Sequence, residues 1–176
     1  QEVVTSIRFN NVKSDGNVSA LMPVSMDCVQ PVPWARNAWY LATRPSFTAD
    51  PLFHAGVYYV QEASSMFLEQ IVSTYANSPV RALDLCAAPG GKSTHLVSLL
   101  PKGSLLVSNE INKQRSNILC ENIVKWGNPA CVVTRNAPDQ IAALGPVFDF
   151  VLVDAPCSGE GMFRRDEQAI GCWSPE

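Results

Sequence analysis

Asp84-Leu-Cys-Ala-Ala-Pro-Gly-Gly-Lys-Ser93 closes a short apolar run, Arg81–Cys86, and opens a helix-forming one, Lys92–Leu100. A buried strand that ends in small residues and passes straight into a helix lets the backbone approach a ligand closely, and the helix start offers free N–H groups. The alternation continues downstream. Ser104–Ser108 reads as a strand closing on Asn109-Glu110, and Lys113–Trp126 as a helix ended by Gly127-Asn-Pro129. Ala130–Thr134 reads as a third strand, and Phe148–Val153 as a fourth that closes on Asp154. Strands alternating with helices predict an α/β fold with a parallel, doubly wound sheet. Ligands bind such sheets beyond the carboxyl ends of the strands, so the residues just after each strand are the candidates for chemistry.

Upstream, Val57–Val60 reads as a short strand and Gln61–Ala76 as a helix, with Ala63, Met66, Phe67, Ile71, Val72 and Tyr75 at helical spacing. Residues 1–56 have another character. Pro23, Pro31, Pro33, Pro45 and Pro51 break helices and confine strands to edges, and only Thr5–Phe9 and Trp39–Ala42 look strand-like. The expected organisation is a small N-terminal α+β extension, residues 1–56, packed on a core of residues 57–176. A mostly structureless arm is the alternative.

The 176 residues are 47% hydrophobic and 16% charged, which excludes a disordered chain. No apolar run approaches the ~20 residues that span a bilayer. The six cysteines form no Cys-x-x-Cys pair and only His54 and His95 could add imidazoles, which argues against zinc. Cysteines inside strand-like and helix-like runs fit a reducing cytoplasm better than a disulfide framework. The expectation is a cytoplasmic monomer without metal or membrane partner. The net charge of −3 lacks the usual basic footprint of nucleic-acid binders, so any RNA must be met by a local patch.

Three constellations stand at strand ends. In the first, Ala87, Ala88, Pro89, Gly90, Gly91 and Lys92 form the small-residue loop. A phosphate-binding loop would need glycine where Cys86 stands, and Gly-x-Gly-x-x-Gly is absent. The loop therefore reads as a different ligand loop or as an ordinary tight turn. In the second, Glu110 follows the next strand, twenty residues after Gly90. An acid there accepts hydrogen bonds from ribose hydroxyls, or is a solvated carboxylate before a helix. The third is Asp154-Ala-Pro-Cys-Ser-Gly-Glu-Gly161, which sets an acid beside the thiol of Cys157. Asp154 disfavours the Cys157 thiolate, so that cysteine need not be the main nucleophile. A structural acid and a small buried thiol are the bland alternatives. The following Met162-Phe-Arg-Arg-Asp166 suits phosphate contact or a solvated turn.

Taken together, these strings resemble the Sun/RsmF-type family of ribosomal RNA cytosine-5 methyltransferases, and its RsmF-like (YebU-like) branch in particular. The matching pieces are Ser6-Ile-Arg-Phe-Asn10, Tyr59-Val-Gln-Glu-Ala-Ser-Ser-Met66, the Asp84–Ser93 loop, Asn109-Glu110, the Asp154–Gly161 loop and Trp173-Ser-Pro-Glu176. The resemblance implies a Rossmann-like class I methyltransferase fold with S-adenosyl-L-methionine as cofactor and RNA as partner. It assigns Ala87, Ala88, Pro89, Gly90, Gly91 and Lys92 to the methionine part of the cofactor and Glu110 to its ribose. Arg115 falls near the cofactor, and Asp154 faces cofactor and target base. Cys157 assists product release, while the family's attacking cysteine belongs to a later Thr-Cys motif. The family's adenine-reading acid falls at Ala137, with Asn136 and Asp139 as neighbouring substitutes.

The resemblance also implies the chemistry. Carbon 5 of cytosine is a poor nucleophile, and thiolate addition at carbon 6 makes it enamine-like. The target base must be unstacked to be reached. The chain starts without Met and ends at Glu176. The expectation is a fragment that binds cofactor weakly, leaves Phe148–Val153 at an open sheet edge and does not methylate on its own.

Overall fold

The computed structural model describes residues 4–14 and 28–155. The first four strands are β1 (Thr5–Phe9), β2 (Cys28–Pro31), β3 (Ala38–Leu41) and β4 (Tyr58–Val60), and they form an antiparallel sheet in the order β2-β3-β1-β4. Ile7 and Phe9 of β1 pack with Leu41, Phe47, Val57 and Tyr58 in one apolar cluster. Between β3 and β4, Asp50 caps a single turn, α1 (Pro51–His54), by accepting the Leu52 N–H, with Pro51 at the first helical position where its missing N–H costs nothing. The extension is thus more regular than its prolines suggest. Pro31 ends an edge strand, which is where a sheet tolerates it. Strand β4, which opens the expected core, hydrogen-bonds to β1 of the extension.

The helix expected over residues 61–76 is shorter. Residues Ala63–Phe67 form a 3₁₀ turn, and α2 runs only over Leu68–Tyr75. The Ala63 carbonyl, which an α-helix would offer to its own backbone, accepts the Trp34 indole N–H at 2.7 Å. The buried face differs as well. Phe67, Ile71 and Tyr75 are exposed, while Glu69 is turned inward between Arg36 and His95.

The remaining strands are β5 (Arg81–Asp84), β6 (Leu105–Asn109), β7 (Cys131–Thr134) and β8 (Phe150–Leu152). They form a parallel sheet in the order β7-β6-β5-β8, as the alternation predicts. Helices α3 (Gly91–Leu99), α4 (Lys113–Trp126) and the short α5 (Pro138–Ala142) connect them. Leu96 and Val97 of α3 pack with Ala82, Leu106, Val72 and Trp126, while Leu119 and Ile123 of α4 pack on Ala87 and Ala88. Among the described residues, no helix is long and apolar enough to cross a membrane.

The two sheets meet at the last turn of α4. Asn10 Nδ2 donates to the Trp126 carbonyl at 2.8 Å, and Lys13 Nζ donates to the Lys125 carbonyl at 2.6 Å. These donors satisfy carbonyls that a helix end leaves without partners. Gly56, at φ +68°, approaches so closely that a Cβ there would stand 2.1 Å from the Lys125 carbonyl oxygen.

Candidate functional site

The site is built where β5, β6 and β8 end. The chain leaving β5 turns through Leu85–Gly90, with a cis bond between Ala88 and Pro89, and Gly90 at φ +112° starts α3. A Cβ on Gly90 would press against Leu119 at 3.2 Å and Asn122 at 3.4 Å, so glycine fits where the loop lies on α4. Neighbouring groups hold the loop from outside. The Asn109 carbonyl accepts the Ala87 N–H at 2.8 Å, Arg115 Nη2 donates to the Ala88 carbonyl at 2.8 Å, and Asn122 Nδ2 donates to the Pro89 carbonyl at 2.8 Å. The N–H groups that open α3 are left for a ligand, as at any helix start.

Glu110 follows β6 and is 3% exposed. Its Oε1 accepts the Asn112 N–H at 2.9 Å. Its Oε2 has no hydrogen-bond partner among the described residues, with Arg115 Nη1 standing 3.5 Å away. A buried carboxylate oxygen without a partner is costly unless a donor arrives. Arg115 therefore links two expected site elements, touching Ala88 with one nitrogen and approaching Glu110 with another.

Lys92, in the first turn of α3, meets Asp154, which follows β8, in an ion pair at 2.5 Å. The pair lines a cleft of about 190 Å³ together with Gln61, Cys86, Ala87, Ala88 and Gly91. Cys86 is the thiol at this cleft. Burial first, and then the charges of Glu110, Asp84 and Asp154, push its pKa up, so the thiolate needed for attack is disfavoured. Cys157 and the Arg164-Arg165 turn lie outside the described residues. A larger cavity of about 450 Å³, beside Lys102 and Trp126, opens at the opposite ends of the strands and away from these groups.

Expected site residues on β5, β6, β8 and the starts of α3 and α4 are thus brought to one sheet end: Ala87 to Lys92, Glu110, Arg115 and Asp154. The third strand supplies less. Ala137 precedes α5, and its N–H is held by the Gln140 side chain at 2.9 Å. The backbone N–H and carbonyl of Asn136 are both taken by Asn109, and Asp139 is exposed.

Two further groups organise the site and carry no strong sequence signal. Asn109 is 1% exposed and ties three strand ends together. Its Nδ2 donates to the carbonyls of Leu85 and Asn136, and its Oδ1 accepts from Thr134 Oγ1 and the Asn136 N–H. Asp84 is also 1% exposed, and accepts from Ser93 Oγ at 2.7 Å, which in turn accepts from Ser108 Oγ. Burial pushes the Asp84 carboxyl up to about 6, and the repulsion of Asp154 adds to it, against Ser93 and Lys92. An acid ending an apolar strand was the available sign for Asp84. Asn109 appears in the sequence only as part of the Asn109-Glu110 string, with no sign of its role as a tie between strand ends.

Comparison with known proteins agrees with this geometry. Residues 1–63 match the N-terminal domain of 16S rRNA methyltransferase RsmF. The chain is 34% identical over 180 residues to ribosomal RNA small subunit methyltransferase F of Serratia proteamaculans, covering 97% of this chain and 37% of that protein. The Salmonella paratyphi B protein of the same name is 35% identical over 179 residues, with the same coverage of both chains. The chain therefore spans little more than a third of the length of these relatives. The crystal structure of a methyltransferase homolog from Pyrococcus horikoshii superposes with a TM-score of 0.78 at 28% identity, over 97% of this chain and 56% of that one. The class I methyltransferase fold is shared, residues 75–172 match the 16S rRNA methyltransferase RsmB/F family, and the chain belongs to that family.

Proposed function

We propose that this chain binds S-adenosyl-L-methionine at the ends of β5 and β6, as part of an enzyme that methylates carbon 5 of a cytosine in small-subunit ribosomal RNA. The observation that carries the cofactor reading is the buried Oε2 of Glu110 beside the glycine loop, which faces Arg115 at 3.5 Å and has no hydrogen-bond donor among the described residues. Glu110 would accept from the ribose hydroxyls, and the opening N–H groups of α3 with Lys92 suit the methionine carboxylate. Bound there, the cofactor supplies an electrophilic methyl group.

The chain's own residues do the placing. Arg115, Asn122 and Asn109 fix the loop backbone, and Gly90 lets it lie against α4. Asp154 stands at the cleft and would accept from the amino edge of a cytosine. Cys157 is assigned the release of product, and the family's later Thr-Cys motif would supply the cysteine whose addition at carbon 6 splits one hard step into two easier ones. Burial and the neighbouring carboxylates raise the Cys86 pKa, which disfavours it as the attacking group. Residues 1–56 are assigned to an extension that contacts RNA and 57–176 to the cofactor-binding core, with β4 hydrogen-bonded across the boundary. The assigned setting is a reducing cytoplasm, without a membrane partner, and the assigned state is a monomer.

The test is made on the full-length protein. Calorimetry with S-adenosylhomocysteine should show one site, and incubation of 16S RNA with S-adenosylmethionine should yield 5-methylcytosine by mass spectrometry. Absence of cofactor binding overturns the reading. Methylation of transfer RNA alone would keep the chemistry and correct the substrate.

A further inference from the structure

The polar face of β1 has no part in the function proposed above. Ser6, Arg8 and Asn10 alternate with Ile7 and Phe9, and all five are buried, so both faces of this strand are covered. The polar face points at the methyltransferase core. Ser6 Oγ donates to the Gln61 carbonyl at 2.6 Å, and Asn10 Nδ2 donates to the carbonyls of Gly56 and Trp126.

Arg8 sits between them, 2% exposed. Its Nε donates to Gln61 Oε1 at 3.0 Å, and its Nη2 donates to Thr94 Oγ1 at 2.8 Å and to the Gly91 carbonyl at 3.2 Å. The guanidinium carbon lies 4.6 Å from the centre of the Trp126 ring. Burying a guanidinium is unfavourable unless its donors are matched by fixed acceptors; here Nε and Nη2 are matched, while Nη1 has no hydrogen-bond partner among the described residues. Two of the acceptors found here belong to the cofactor end of the sheet. Gly91 is the first residue of α3, directly after the Ala87–Gly90 loop, and both Gly91 and Gln61 line the cleft closed by Lys92 and Asp154. A planar fork that holds both fixes the helix start relative to the cleft wall, a task the single ammonium of lysine cannot reproduce.

We propose that Arg8 is a positioning residue for the cofactor site: from the N-terminal sheet it fixes the Gly91 backbone and the Gln61 side chain, so that the opening N–H groups of α3 stay aimed into the cleft. This inference rests on the methyltransferase reading. It makes the N-terminal sheet a working part of cofactor binding as well as a surface for RNA.

The experiment compares Arg8→Lys, Arg8→Met and Thr94→Val with Leu41→Ala, a core truncation in the apolar cluster on the other face of β1. Calorimetry with S-adenosylhomocysteine on the full-length proteins should show Kd raised about ten- to a hundred-fold in both Arg8 variants and a few-fold in Thr94→Val. Leu41→Ala should lower the unfolding midpoint and leave Kd unchanged. In turnover, the Arg8 variants should raise KM for S-adenosylmethionine and leave KM for RNA unchanged. Unchanged affinity in folded Arg8→Lys, or an equal loss in Leu41→Ala, overturns the proposal and reduces Arg8 to a fold-stabilising residue. If Arg8→Met does not fold, Arg8→Lys and Thr94→Val decide by the same criteria. Failure of the unsubstituted protein to bind would sink the cofactor reading itself, and the proposal with it.

Discussion

Lys92 and Asp154, sixty-two residues apart in sequence, form an ion pair across the mouth of the cleft. It joins the start of α3 to the end of β8, and with it the two most specific strings in the sequence. Asp154 is the more exposed partner, so the pair adds little to stability. On the proposed reading its value is geometric, because it would fix the direction of the carboxylate that meets the base. Asp154→Asn is expected to cost under about 1 kcal/mol in chemical unfolding. It should lower kcat for RNA methylation about a hundred-fold or more, with cofactor affinity changed far less. A normal kcat in this variant would remove Asp154 from the chemistry.

Glu110→Gln keeps the acceptor for Asn112 and removes the charge from the oxygen that has no hydrogen-bond donor among the described residues. Binding of S-adenosylhomocysteine should weaken about ten- to a hundred-fold by calorimetry, as expected when a charged hydrogen bond is lost. An unchanged Kd would show that the ribose is held elsewhere.

His95 and Glu69 predict acid sensitivity. Burial pushes the His95 imidazole down to about 4, outweighing the Glu69 carboxylate that accepts its Nε2–H at 3.2 Å. Burial alone would raise Glu69, but the hydrogen bonds from His95 and Arg36 hold it low. A depressed folded pKa means that the folded state binds fewer protons than the unfolded state. His95 thus contributes stability that is present above its ordinary 6.5 and is lost as pH falls through about 4. The loss amounts to about 3 kcal/mol. Denaturant unfolding of His95→Gln should show a flatter pH dependence between about 6.5 and 4; an unaltered profile would contradict this.

Asp84 has the opposite sign. Its carboxyl is raised from 3.8 to about 6, so the folded state binds the extra proton. Ionised Asp84 costs stability above pH about 6, and the cost is relieved as pH falls toward 3.8. Asp84→Asn, which keeps an acceptor for Ser93, should raise the unfolding free energy at pH 8 by up to about 3 kcal/mol and by much less at pH 4. An equal change at both pH values would mean that ionisation is not the cause.

Gly56→Ala tests the junction of the two sheets. Its Cβ would stand 2.1 Å from the Lys125 carbonyl oxygen, and φ is +68°. The substitution should cost about 1–3 kcal/mol, measured from the urea midpoint at constant m-value. A neutral result would mean that the Gly56 turn can move off α4.

The sequence by itself determined the parallel half of the fold. Apolar strands of three to five residues, helices ended by glycine and proline, and small residues after the first strand are local signals, and each expected element formed within two or three residues of its place. The same strings located the cleft, because residues after successive parallel strands must gather at one sheet end. Tertiary structure alone decided what lies between. The strand-like runs before residue 57 form where expected, but their pairing is not legible locally, because the hydrogen-bond partners are distant in sequence, as with Thr5 and Leu41. Glu69 turns inward beside Leu68 and Val72 while Ile71 and Tyr75 face solvent, because Arg36 and His95 wait for it from two other segments. Arg8 and Asn109 look like ordinary surface residues until the fold supplies their acceptors. Burial, and the cost of leaving a buried donor unmatched, give them their roles, and neither quantity exists until the chain has folded.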